Sequence, residues 1–201
     1  MSTLKSSLLA ATLVAACVLC LPSSSLAWQN GQAADIVLGQ PDFTSSDSGT
    51  TQATLDSPSS LCIDPSSGSL FVVDDGNHRV LRWSSANALI SGSPASSVLG
   101  QENFTSGERD RGGNAAANTL DTPQDCAVAS DGTLFVVEMF NNRVLRFDDA
   151  ANKANGAAAD GVLGQADFTS SASATTNSTM TYPRGLALDS AGRLWVADYF
   201  N

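Results

Sequence analysis

The chain has 201 residues, of which 42% are hydrophobic and 15% charged, enough apolar material for a buried core and too much for wholesale disorder. The formal net charge is −10 and no Lys/Arg cluster breaks the acidity. Such a chain lacks the basic footprint that phosphate backbones and anionic lipid surfaces require, which disfavours nucleic-acid binding and membrane-surface attachment.

Residues 1–27 read as a secretory signal peptide. Lys5 supplies a positive start, Leu8 to Leu21 is an almost unbroken apolar run, and Ser25 and Ala27 fit the small-x-small rule for cleavage before Trp28. The run is shorter than the ~20 residues that a spanning helix needs. An uncleaved anchor and a lipoprotein signal, from Val14-Ala15-Ala16-Cys17, remain as alternatives. The expected location is secreted or extracytoplasmic, with no membrane contact beyond the signal. Residues 28–35 form a short polar lead-in.

Ile36-Val37-Leu38 is β-branched and apolar and predicts a strand. The stretch Val37-Leu38-Gly39-Gln40, with an aromatic at Phe43, returns 61 positions on (37 to 98) and again 64 positions on (98 to 162). Recurrence at a period of this size marks a repeat architecture. Thr44 to Ser57 is a polar loop. From Pro58 the chain predicts three strands, Leu61-Cys62-Ile63, Leu70-Phe71-Val72-Val73 and Arg79-Val80-Leu81-Arg82-Trp83, with a tight turn at Asp74-Asp75-Gly76-Asn77. The second strand is apolar on both faces, which implies burial between two layers.

The same grammar follows Pro123, with Cys126-Ala127-Val128, Leu134-Phe135-Val136-Val137, the turn Glu138-Met139-Phe140-Asn141 and Arg143-Val144-Leu145-Arg146-Phe147. It starts a third time at Pro183, with Leu186-Ala187-Leu188, Leu194-Trp195-Val196-Ala197 and Asp198-Tyr199-Phe200-Asn201. Each unit is thus three antiparallel strands plus an outer Val-Leu-Gly-Gln strand. Four-stranded units repeated radially make a β-propeller. The fold class is all-β: an incomplete propeller over residues 36–201, with repeat blocks at about 58–101, 123–165 and 183–201. The first Val37-Leu38 is expected to be an outer strand whose partner strands are missing from this chain.

These residues resemble the NHL-repeat family, whose pattern runs Pro-x-Gly-apolar-Ala-apolar-Asp, then Gly-x-apolar-apolar-Val, then Asp-x-x-Asn-x-Arg-apolar. The third block carries Pro183, Gly185, Ala187, Asp189, Gly192, Val196, Asp198 and Asn201; the first carries Pro58, Asp64, Gly68, Asp74, Asn77 and Arg79; the second carries Pro123, Gly132, Asn141 and Arg143. The departures are Ser60 and Asp125 in place of the first Gly, Ala129 in place of Asp, and Glu138 in place of Asp. The resemblance implies a six-bladed propeller, so under three blades are expected here, from a truncated member. It also implies two enzymatic relatives, a peptide-amidating lyase and calcium-dependent lactonases of similar fold. The lyase resemblance implies metal-binding histidines, whereas this chain has one His, His78. The family's association with ubiquitin ligation requires a RING domain, and no RING cysteines are present.

Strand alternation puts the turns Asp74–Asn77, Glu138–Asn141 and Asp198–Asn201 on one face with the loops 44–57, 105–122 and 169–182. Met139-Phe140 and Tyr199-Phe200 place large apolar groups at two turn tips, so Met139, Phe140, Tyr199 and Phe200 are the candidate binding residues. Asp74, Asn77, Arg79, Glu138, Asn141, Arg143, Asp198 and Asn201 are read as structural turn residues, because a type repeated in every blade suits the blade better than one asymmetric active site. His78 is expected to be an exposed turn residue. No catalytic residue, metal ligand or cofactor is assigned. Asp64 and Asp189 end first strands, as calcium-holding carboxylates do in the propeller lactonases, but Ala129 breaks the series, so calcium is kept only as a weak alternative. Asn103 and Asn177 head glycosylation sequons, relevant in a eukaryotic source. Cys62 and Cys126 are expected to be buried free thiols, with a disulfide as the alternative. The expected function is a secreted, non-catalytic scaffold that binds a protein or glycan on the loop face. The alternative is a lyase or lactonase-like hydrolase whose catalytic residues lie largely in missing blades.

Overall fold

The structure is a computed structural model that describes residues 29–201. The signal peptide expected at 1–27 therefore lies outside the described residues. The chain divides into two units, Met1–Ala34 and Asp35–Asn201. The described part of the first holds a turn in which Gln32 N donates to Gln29 O. All regular strands belong to the second.

Two four-stranded antiparallel sheets and one strand pair follow in chain order. The first is built from β1 (Pro58–Ile63), β2 (Leu70–Asp74), β3 (Arg79–Trp83) and β4 (Ser97–Leu99). The second has β5 (Pro123–Val128), β6 (Leu134–Glu138), β7 (Arg143–Phe147) and β8 (Gly161–Leu163). The pair is β9 (Pro183–Leu188) with β10 (Leu194–Asp198). Each sheet is a simple meander, as expected of propeller blades. The Val-Leu of the repeated motif closes each complete blade, with Val98 opposite Leu81 and Val162 opposite Leu145.

Burial follows from β2 and β6 being apolar on both faces. All five residues of β2 are buried. Phe71 and Val73 pack with Cys126, Leu134, Val136 and Phe147 of the second blade. Leu70 and Val72 pack on the opposite face with Leu55, Trp83 and Leu38. Successive strand residues thus feed two different cores, each side chain contributing about 1.5–3 kcal/mol when fully buried. The innermost strands β1, β5 and β9 stack in that order.

Two expectations are corrected. Residues 36–38 form no strand: Val37 N donates to Ser91 Oγ and Val37 O accepts from Gly92 N, the same turn contacts that Val98 makes with Asn155 Oδ1 and Gly156 N, but no ladder joins them. Val98 and Val162 are strand residues because β3 and β7 pair with them, and no such strand flanks Val37 among the described residues. The cysteines are also not free thiols. Cys62 and Cys126 form a disulfide with Cα atoms 5.9 Å apart, joining the first blade to the second.

The physical reason lies in strand register. Cys62 is the fifth residue of β1 and pairs with Phe71, whereas Cys126 is the fourth of β5 and pairs with Val136. A one-residue offset in a strand reverses the face a side chain occupies. In two blades stacked face to face, that offset turns the two sulfurs toward each other.

Replacing both cysteines by alanine is expected to lower stability by about 2–4 kcal/mol. Urea denaturation measures this, and a reductant should bring the wild-type midpoint down toward that of the double variant.

Candidate functional site

The turn between the second and third strands of each blade starts from a buried ion pair. Arg79 Nε meets Asp74 Oδ2 at 2.6 Å, and Arg143 Nε meets Glu138 Oε1 at 2.7 Å, with all four side chains fully buried. The remaining donors of each guanidinium go to loop carbonyls. Arg79 Nη1 donates to Phe104 O and Nη2 to Thr51 O and Thr54 O. Arg143 repeats the pattern toward Phe168 O, Ala116 O and Thr119 O. Each Arg therefore ties together the loop that enters its blade and the loop that leaves it.

The carboxylates are saturated with donors. Asp74 accepts from Asp56 N, Asn77 Nδ2 and Arg79, and Glu138 from Asp121 N, Asn141 Nδ2 and Arg143. Burial pushes the Glu138 carboxyl up, to about 7, against the pull of Arg143, Asn141 and the Asp121 N–H. Burial raises Asp74 in the same way, opposed by the Asp56 N–H, Asn77 and Arg79. Since every neighbour donates, the ionised form is the one that these sites satisfy. Asp198 Oδ1 accepts from Thr181 N and its Oδ2 from Asn201, so the third turn follows suit.

His78 is not an exposed turn residue. It sits half-buried in left-handed backbone (φ 49°), and its Nδ1 accepts from Thr122 N at 3.0 Å. Asn142 holds the equivalent place in blade two (φ 50°), where its Oδ1 accepts from Tyr182 N at 2.8 Å. Each acceptor reaches the residue just before the proline that opens the next blade. This blade-to-blade latch occupies the only histidine's accepting nitrogen, leaving it unavailable as a general base in this geometry.

The Gly-Gln of the repeated motif also has a local purpose. Gly39, Gly100 and Gly164 have φ of 83°, 85° and 83°, and a Cβ there would press on Leu55, Leu120 and Met180 respectively. Gln40, Gln101 and Gln165 each donate from Nε2 seven residues on, to Asp47 O, Glu108 O and Ala172 O. Asp42, Asn103 and Asp167 then cap the same loops, accepting from Thr44 and Ser45, Thr105 and Ser106, and Thr169 and Ser170. Asn103 and Asn177 of the two sequons are both exposed.

On these anchored loops lie two features. One is a cavity of about 610 Å³ between the 109–121 loop, the Phe140-Asn141 turn and residues 169–171, lined in part by Arg109, Asp110, Asp121 and Phe140. The other is a row of aromatic rings. Phe140 meets Tyr182 edge-to-face at 5.7 Å, Tyr182 meets Phe200 at 5.4 Å, and Phe200 meets Tyr199 at 4.6 Å. The Arg184 guanidinium lies 4.0 Å above the Tyr199 ring. Phe140, Tyr199 and Phe200 are 44%, 56% and 62% exposed. The structure therefore brings three of the four candidate binding residues into one row, while Met139 is partly buried beside it. Sequence reasoning missed Tyr182 and Arg184, which flank Pro183 in what reads only as a strand start.

Asp64 and Asp189 serve their own turns, Asp64 through Ser66 and Ser67 and Asp189 through Ala191, Arg193 and Trp195. Among the described residues, no group of three or more His, Cys, Asp or Glu is placed to hold a metal ion.

Comparison with known proteins fits this blade. The family model described as the NHL repeat matches residues 55–83, which hold β1 to β3 and the Asp74–Arg79 turn. Residues 55–83 are thus similar to an NHL repeat. Blade two copies the ion pair, latch and strand order of this matched segment, and β9–β10 copies its first hairpin. Among solved structures, the chain is similar to hydrazine synthase of Kuenenia stuttgartiensis, at 13% identity and a TM-score of 0.45, over 85% of this chain and 32% of that one. The chain thus spans about a third of the length of that structure's chain. No curated protein matches it.

His78→Asn is expected to be neutral, because Asn142 already performs the latch. His78→Leu removes the acceptor for Thr122 N–H and should cost about 1–2 kcal/mol in urea denaturation.

Hydrogen bonds from Thr169 and then Ser170 hold the Asp167 carboxyl down at about 2, from 3.8. A depressed folded-state pKa contributes stability that is present above the unfolded value and lost as the pH falls through the folded one. Asp167→Asn, which copies Asn103, should therefore flatten the acid-induced fall in stability between pH 3.8 and about 2, read by thermal melts across that window.

Proposed function

We propose that this NHL-repeat chain is a section of an exported, non-catalytic propeller that binds a protein or glycan through its loop face. The observation that carries the reading is the exposed row Phe140–Tyr182–Phe200–Tyr199, which joins the tips of two blades. Aromatic side chains beside an arginine are the groups that dominate binding energy at recognition surfaces. A row mounted on turns held by a buried ion pair at Glu138 and by hydrogen bonds at Asp198 is ordered before the ligand arrives, which reduces the ordering cost of binding. The repeated carboxylates and the histidine are committed to the scaffold, which favours a binder over an enzyme. Export is supported by the apolar leader and by the Cys62–Cys126 disulfide, a bond that persists in oxidising compartments.

The test is a double substitution, Phe140→Ser with Phe200→Ser. Because both rings are substantially exposed, the melting temperature should stay within about 3 °C of wild type. Binding to ligands recovered from protein-display and glycan-array screens should fall at least about tenfold. Undiminished binding by the double variant would sink the loop-face reading.

A further inference from the structure

We propose that the cavity beside Phe140 is a subsite for a neutral pyranose unit of a glycan. This rests on the loop-face reading and narrows it from protein or glycan to glycan. The cavity, at about 610 Å³, is concave and of the size that small ligands occupy. Its wall mixes acceptors with donors. Asp110 and Asp121 present carboxylates, while Arg109 and Asn114 present N–H groups, and the Phe140 ring forms part of the rim.

The two carboxylates are built in and not merely nearby. Asp110 is 8% exposed, and its Oδ1 accepts from Thr119 Oγ1 and Asn141 Nδ2. Its Oδ2 has no hydrogen-bond partner among the described residues, so one acceptor with two lone pairs remains for a ligand. Asp121 is 4% exposed, with Oδ1 taken by Thr122 Oγ1 and Oδ2 lying 3.5 Å from Arg109 Nε. Burial pushes the Asp121 carboxyl up, and Arg109 pulls it back. The Arg109 side chain itself is 67% exposed, which leaves guanidinium N–H groups for a ligand oxygen.

The chemistry of this wall selects among ligands. An anion would meet two buried carboxylates. A cationic side chain would meet Arg109. A flat apolar surface would leave the polar wall unpaired. A pyranose offers hydroxyls that both donate to the carboxylates and accept from the guanidinium and the Asn114 amide, and a C–H face that packs on an aromatic ring. The Phe140 ring also starts the aromatic row, so a glycan seated in the cavity continues over Tyr182.

Saturation-transfer NMR on the full chain would use the methyl glycosides of glucose, mannose, galactose and N-acetylglucosamine as probes. At least one is expected to bind with Kd on the order of 1 mM, a scale set by ligand size. Arg109→Ala and Phe140→Ser should each weaken it at least about tenfold, and Tyr199→Ser, outside the cavity, should not. No binding by any glycoside, binding unchanged in both cavity variants, or binding only of a tri-lysine peptide would overturn the pyranose subsite. The two readings fail separately: the Phe140/Phe200 double variant tests the face with macromolecular ligands, whereas Arg109→Ala probes only the cavity.

Discussion

Everything on the loop face depends on a guanidinium buried without access to water. Arg79 and Arg143 are fully buried, and a charge in that position is tolerable only when it is paired and its donors are filled. Asp74 and Glu138 supply the pairing. The donors left over cannot be filled from the blade itself, because its backbone groups are spent on the ladder. They are filled by carbonyls of the two flanking loops, and this converts long Ser- and Thr-rich segments into fixed structure. A lysine could not do this, since its point charge lacks the planar fork that reaches a carboxylate and two separate loops at once.

The recognition features inherit this order. One edge of the cavity and the first ring of the aromatic row, Phe140, are mounted on the turn that begins at Glu138, so the residue that anchors the core also positions part of the surface. Asp110 shares Asn141 with Glu138, which couples the cavity floor directly to the ion pair. The acidic character of the chain has a structural side here. Some of its carboxylates cap turns, among them Asp42, Asp64, Asp167 and Asp189, and keep their negative charge while doing so.

Much of the architecture could be read from periodicity. Leu70–Val73 and Leu134–Val137 are apolar on both faces, and only a strand covered on two sides needs that composition. The third strands follow from Arg-Val-Leu-Arg recurring after a tight turn. Misreadings came where a residue's meaning depended on another segment. Ile36–Leu38 has strand composition but no ladder partner. Cys62 and Cys126 look like members of equivalent strands until their offset from Pro58 and Pro123 is counted. His78 looks like a turn tip because Thr122, whose N–H it receives, is 44 positions away. Tyr182 gives no local signal at all: a single aromatic in a polar loop becomes the centre of a row only once two neighbouring turns meet it.

The residues ahead of the three opening prolines, Ser57, Thr122 and Tyr182, all hold φ between 52° and 55°, a conformation costly for non-glycine residues. For Thr122 and Tyr182 the latch from the preceding blade holds them there. Blade is then held to blade by short contacts, the latch together with the shared core, and not by the length of chain that travels between blades. Spacer length is free to drift, as the unequal repeat periods already record. Insertions, deletions and new side chains in these loops can change what the face recognises while the pitch of the ring stays constant, which separates the evolution of specificity from the evolution of the scaffold.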